Sequence, residues 1–268
     1  MLLPLTGRRL YYDLVGPENA PVLAITHSLA SDSGMWAEQV PALLQAGFRV
    51  LRLDMRGHGG SDPAPGDYTM SALAQDVATA LDALSIPRVH YLGLSIGGMI
   101  GQAFALEHGG RLISAMWCDT LPASPKGAAS AWDERMNAVR RAGSVAPLAD
   151  ATMERWFTDA FKPQKPRRWQ EIRDTVAATT PAGYLGCSAA IMDFDFAANL
   201  PSLRTPCLVV CGADDPGTPP AENRRLADLV PGARYEEIPN ARHFPNVERP
   251  DAFNRILLGW LEAQRGAR

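Results

Sequence analysis

The sequence predicts an α/β fold in which a mostly parallel central sheet is flanked by helices and a helical cap is inserted into one connection. Two observations predict this fold. Short apolar segments rich in β-branched residues alternate with segments of helical spacing along most of the chain. Between residues 122 and 198 this alternation stops, and only windows of helical spacing occur. We therefore expect a core formed by residues 1–121 and 199–268, with a cap formed by residues 122–198.

The predicted strands are short apolar segments that end at turn residues such as Gly16-Pro17. A fully apolar segment such as Val22–Thr26 is typical of a central strand in a parallel sheet, which is buried on both faces. In chain order, the predicted strands cover residues 10–14, 22–26, 48–53, 89–92, 113–118, 207–211 and 233–238.

The predicted helices repeat apolar residues every three or four positions, as Leu73, Val77 and Leu81 do. In the core they cover about residues 36–44, 71–83, 99–106, 221–229 and 251–262, and in the cap about 133–141, 152–161 and 168–178. The cap follows a predicted strand at the edge where the loops of a parallel sheet form binding sites. We therefore expect the cap to cover a pocket and to select the substrate.

Composition excludes several classes of protein. The apolar content of 46% and charged content of 21% are ordinary for a globular enzyme, and the net charge of −3 argues against a nucleic-acid partner. The basic residues between 162 and 168 are interpreted as a solvated loop. We expect no signal peptide, no membrane span and a cytoplasmic location, and the sequence leaves a homodimer open. The four cysteines lack metal-ligand spacing and are interpreted as reduced core residues.

The most informative motif is Gly93-Leu94-Ser95-Ile96-Gly97, which lies between a predicted strand and a predicted helix. A Gly-x-Ser-x-Gly turn at such a junction bends the chain sharply and exposes the serine hydroxyl above the sheet. Small residues on either side let the strand and the helix approach each other. Ser95 is therefore the candidate nucleophile.

A serine hydroxyl needs a base, and the base needs a third group that orients it. Asp215 and His243 each follow a predicted strand, and the chain order Ser, Asp, His is one of the known orders of such triads. Asp215 is favoured over Asp214 because it lies one residue further beyond its strand. The remaining histidines are interpreted as packing or hydrogen-bonding residues, namely His27, His58, His90 and His108.

An acyl-transfer site also needs donors for the oxyanion. The backbone N–H of Ile96 follows the nucleophile at a helix N-terminus, where amide groups lack intrahelical partners. The backbone N–H of Leu29, in the loop after the second predicted strand, is the expected second donor.

With these motifs in place, the chain resembles the α/β-hydrolase fold family, and within it the 3-oxoadipate enol-lactonases of bacterial aromatic catabolism. The segments that carry the resemblance include SDSGMW at 31–36, DMRGHG at 54–59, GLSIGGM at 93–99, RWFT at 155–158 and GARY at 232–235. The resemblance implies an α/β-hydrolase fold with a cap. It also implies the hydrolysis of a small enol-lactone that carries a carboxylate, without a metal or an organic cofactor. It also assigns Ser95, Asp215 and His243 to the triad and Leu29 and Ile96 to the oxyanion hole.

The chain departs from the enol-lactonase pattern near the expected site. His27 stands where that family usually has Asn, and Ala30 stands where it usually has Gly. Phe244-Pro245 replaces a frequent Leu-Ser pair and would make the wall beside the base more apolar.

Several residues are candidates for substrate binding. A substrate carboxylate would need a cation in the cap, and the candidates are Arg135, Arg140 and Arg155. Trp132 and Trp156 are expected either to line the pocket or to pack inside the cap, and Phe244 is expected to line the wall.

Two alternative functions stay open. The first is a carboxylesterase or a lactonase for another small substrate, and the second is a small-molecule receptor that retains the triad. Haloalkane dehalogenases are disfavoured because they need a carboxylate at the position of Ser95.

Overall fold

A computed structural model describes residues 1–125, 127 and 129–265, and within these residues eight strands form one sheet in the order β1-β2-β4-β3-β5-β6-β7-β8. Six neighbouring strands pair in parallel, in the order β4, β3, β5, β6, β7 and β8. At one edge of the sheet, β2 pairs antiparallel with β4, and β1 pairs antiparallel with β2. The strands are β1 Leu2–Leu5, β2 Arg8–Val15, β3 Val22–Thr26, β4 Arg49–Leu53, β5 Val89–Leu94, β6 Leu112–Cys118, β7 Cys207–Gly212 and β8 Arg234–Ile238. The mostly parallel sheet and its flanking helices confirm the predicted fold class.

The helices form two sets, one outside and one inside the connection between β6 and β7. Those outside it are α1 Val40–Gln45, α2 Met70–Ala83, α3 Ile96–His108, α9 Pro220–Leu229, α10 Pro245–Glu248 and α11 Pro250–Ala263. Between β6 and β7 lie α4 Ala129–Ala142, α5 Ala149–Trp156, α6 Phe161–Gln164, α7 Pro166–Ala178 and α8 Pro181–Met192.

The two ends of the inserted helical segment meet at its base. Ala123 and Asp195 form an antiparallel bridge, and Ser124 N–H donates to Phe194 O at 2.9 Å. These contacts return the chain to the sheet close to the point where it left. The division at residues 121/122 and 198/199 stays a prediction.

Several elements differ from the prediction: β1 and α10 were not predicted, and the helix predicted at about residues 152–161 is divided into α5 and α6. Two further differences have a clear physical reason. Helix α1 begins at Val40 rather than at Trp36, because Pro41 has no backbone N–H and is tolerated only in a first turn. Helix α8 was not predicted, because Gly183 and Gly186 lower its intrinsic helix propensity. Both glycines permit close packing, since a Cβ atom on Gly183 would lie 2.6 Å from the carbonyl oxygen of Gly57.

All four cysteines are unpaired and buried, in agreement with their interpretation as packing residues. Among the described residues, no helix combines the length and the apolar character that a membrane span requires.

Candidate active site

Ser95 occupies a strained turn between β5 and α3, with φ of 59° and ψ of −121°. The two glycines of the motif make this turn sterically feasible. A Cβ atom on Gly93 would lie 2.2 Å from the carbonyl oxygen of Gly97, and one on Gly97 would lie 2.8 Å from the carbonyl oxygen of Thr26. The backbone conformation is therefore the one that the Gly-x-Ser-x-Gly motif predicts.

Asp215 and His243 are joined by a hydrogen bond of 2.7 Å between His243 Nδ1 and Asp215 Oδ2. The N–H groups of Gly217 and Thr218 donate to Asp215 Oδ1 at 2.8 and 3.2 Å, and the Thr218 hydroxyl donates to Oδ2. Burial acts to raise the pKa of Asp215, but the charge of His243 and these donors outweigh it and lower the pKa. Asp214, the alternative acid, is exposed.

The expected oxyanion donors lie on the loop after β3 and at the start of α3. Within the described residues, the backbone N–H groups of Leu29 and Ile96 donate no hydrogen bond. The loop of Leu29 is held by His27, whose Nδ1 donates to Ser28 O and whose Nε2 accepts from Met55 N–H, each at 2.8 Å. Both amide groups therefore remain available to a developing negative charge.

Ala30 takes φ of 58°, a left-handed conformation that favours glycine. Glycine, which the resemblance leads one to expect at this position, would adopt this conformation without strain. Ala30 adopts the same conformation, in which its Cβ atom causes steric strain.

A cavity of about 290 Å³ brings these groups together. Ser95, Asp215 and His243 line it with Leu29, whereas Ile96 does not contribute to its wall. Within the described residues, the Ser95 hydroxyl forms no hydrogen bond to His243. Such contacts are often long without substrate and tighten in the complex.

The opposite wall of the cavity comes from the helical insertion and carries positive charge. Arg135 and Arg155 line it with Trp132 and Trp156. Among the described side chains, neither arginine forms a salt bridge, and Arg155 donates to the neutral Thr152 hydroxyl at 3.1 Å. Burial and, second, the charge of Arg135 lower the pKa of Arg155. The two guanidinium groups of this wall could therefore bind an anionic group.

Two predicted binding residues lie outside the cavity. Phe244 is fully buried and stacks on Trp156, with ring centroids 4.1 Å apart, so the expectation that it lines the wall is wrong. Aromatic stacking within the core keeps it behind Trp156. Arg140 is exposed and donates to Asn137 on its own helix, which excludes it as the cation of this cavity.

Sequence reasoning missed Tyr184, which lines the cavity, and Asp119, a buried acid that follows β6. Tyr184 belongs to the unpredicted helix α8, whereas Asp119 could have been found because it directly follows a predicted strand at the same sheet edge.

Asp119, Asp215 and His243 are residue types that can hold a metal ion. The oxygens of Asp215 already accept hydrogen bonds from protein groups, which favours a hydrogen-bonded triad over a metal centre.

Comparison with known proteins places most of the chain in one family. The sequence model of a family described as alpha/beta hydrolase fold matches residues 21–250. The chain is 34% identical to 3-oxoadipate enol-lactonase 2 of Acinetobacter baylyi over 248 residues, which cover 92% of this chain and 91% of the relative.

Solved structures resemble this chain over nearly its whole length. The enol-lactonase from Burkholderia xenovorans LB400 superimposes with a TM-score of 0.93 and 37% identity, covering 98% of this chain and 100% of the other. A thermophilic esterase from Thermogutta terrifontis, solved with malate bound, superimposes with a TM-score of 0.90 and 28% identity, covering 96% and 94% of the two chains.

Proposed function

Because the chain belongs to the alpha/beta hydrolase fold family, we propose that it is a serine hydrolase that opens a small lactone bearing a carboxylate. The first candidate substrate is 3-oxoadipate enol-lactone, with 3-oxoadipate as product. The observation that carries the proposal is the cavity, in which Ser95 and His243 face two arginines that form no salt bridge among the described side chains. The relatives named enol-lactonase support the same substrate class.

The proposed reaction proceeds through an acyl-enzyme. His243, oriented by Asp215, accepts the hydroxyl proton while Ser95 Oγ bonds to the lactone carbonyl carbon. The N–H groups of Leu29 and Ile96 stabilise the oxyanion. Collapse of this intermediate breaks the ring C–O bond, and the leaving enolate receives the proton from His243. Water activated by His243 then releases the acid and restores Ser95, and the freed enol tautomerises to a ketone.

The second candidate is a carboxylesterase for neutral esters. It is supported by the apolar part of the cavity and by the likeness to an esterase structure. The two functions differ in their use of the arginines. A panel of the enol-lactone, its methyl ester and short p-nitrophenyl esters separates them by kcat/KM. We expect the substrate with the free carboxylate to be preferred. Equal opening of the lactone ring in its methyl ester would overturn the proposal that the enzyme recognises a carboxylate.

Arg135→Ala is expected to lower kcat/KM for the carboxylate lactone by about ten- to a hundredfold, mainly through KM, because a hydrogen bond to a charged group is lost. The neutral p-nitrophenyl ester should change little. Steady-state kinetics with both substrates measures this difference. Arg140→Ala, on the same helix but outside the cavity, is the matched control. An equal loss with both substrates would show that Arg135 supports the cap rather than the carboxylate.

A further inference from the structure

Asp119 is a fully buried acid that the reaction described above does not use. It follows β6, which pairs with β5 and β7, the strands that lead to Ser95 and Asp215. Its backbone N–H donates to Val210 O at 2.9 Å, and its Oδ1 accepts from Gly212 N–H at 2.8 Å. The side chain is therefore fixed at the edge of the sheet, behind the candidate triad.

The second carboxyl oxygen of Asp119 has a different environment. Oδ2 is buried, and no N–H or O–H group among the described residues donates a hydrogen bond to it. One carboxyl oxygen of Asp119, one of Asp215 and a ring nitrogen of His243 all lie within 4.8 Å of one another. A buried oxygen without a donor beside a second carboxylate would be costly if both groups were charged.

The titratable groups that face Asp119 are Asp215, His243 and the thiols of Cys118 and Cys211. Burial first, and the charge of Asp215 second, raise the pKa of Asp119 well above its usual range. The pKa of Asp215 is instead lowered by His243 and by its own donors. One proton is thus expected on this pair of acids, and Asp119 is the residue that holds it.

We propose that Asp119 is a positioning residue that stays protonated and donates its O–H to the Asp215 carboxylate, so that a single negative charge faces His243. The expected effects on kinetics rest on the proposed function, whereas the protonation state of Asp119 does not. A protonated Asp119 supplies the missing partner for its own Oδ2 and adds a donor to Asp215. It also keeps a second negative charge, which would stabilise the imidazolium form, away from His243.

Asp119→Asn tests the protonation state, because the amide keeps the acceptor for Gly212 N–H and a donor toward Asp215 but cannot ionise. We expect the acid limb of its kcat/KM profile to coincide with that of the parent. An ionised Asp119 would stabilise the imidazolium, so its replacement would move the acid limb to lower pH. Such a shift would overturn the proposal. Asp119→Ala removes the donor and should lower kcat by about ten- to a hundredfold, which Asp119→Asn should avoid.

Infrared difference spectroscopy tests the proposal without any turnover. At neutral pH the parent should show the carbonyl band of a protonated carboxylic acid, which shifts on ¹³C labelling of aspartate and is missing in Asp119→Asn. Asp214→Asn, which alters the exposed neighbour of Asp215, should retain the band. A parent without a labelled band at neutral pH would overturn the proposal even if neither variant folds. Because no substrate is needed, the result is independent of whether the protein opens lactones.

Discussion

Ser95→Ala is expected to lower kcat for any ester or lactone substrate by about 10⁵- to 10⁶-fold, because the covalent intermediate cannot form without Oγ. The residual rate should stem from the oxyanion donors and from binding. Ser95 lines the cavity beside His243, and its backbone is fixed by the turn rather than by its hydroxyl. KM should therefore change far less than kcat. Steady-state and burst-phase kinetics measure both effects.

Ser188→Ala is the matched control, since this buried serine donates to Tyr184 O on its own helix and does not line the cavity. It should retain parental kinetics. A serine-directed phosphonate should label the parent at Ser95 and leave Ser95→Ala unlabelled, as peptide mass spectrometry can report. Undiminished hydrolysis by Ser95→Ala, or labelling at another residue, would contradict the assignment of the nucleophile.

The candidate triad could be located from sequence because parallel sheets make position along the chain a guide to position in space. Ser95, Asp215 and His243 each follow a strand, and their strands are β5, β7 and β8 of one parallel series. The carboxyl ends of such strands share one edge of the sheet. Local patterns identified the strands, and topology then brought the side chains together.

The same reasoning could not predict which residues of the helical segment between β6 and β7 line the cavity. Arg135 and Arg140 belong to the same helix, yet only Arg135 lines the cavity, because the rotation of α4 is set by packing against α8. Helix α8 was itself missed, since its glycines are favourable only in their tertiary contacts. Phe244 was misplaced for a related reason: its neighbour Trp156 lies at the end of α5 and is distant in sequence.

Gly212→Ala is expected to lower kcat/KM by about 10³-fold, approaching the loss seen when the acid of such a triad no longer supports its base. Gly212 ends β7, and a Cβ atom there would lie 2.1 Å from the carbonyl oxygen of Arg242 and 2.6 Å from that of Ala241. Both atoms belong to the backbone that leads directly to His243. Because the overlap is with backbone atoms, we expect its relief to displace His243 relative to Asp215, to which it is hydrogen-bonded at 2.7 Å.

The clash is purely steric, because Gly212 is not among the glycines with positive φ. Overpacking of this kind costs about 1–3 kcal/mol, so thermal unfolding should shift down by several degrees while the protein still folds at low temperature. Gly110→Ala, where a Cβ atom would meet nothing within 4 Å, should leave both properties at parental values. Kinetics measured well below the unfolding transition separates the two effects of Gly212→Ala. A variant with a lower unfolding temperature but parental kcat/KM would show that the segment of His243 tolerates displacement. That result would contradict the tight coupling between acid and base that the proposed mechanism requires.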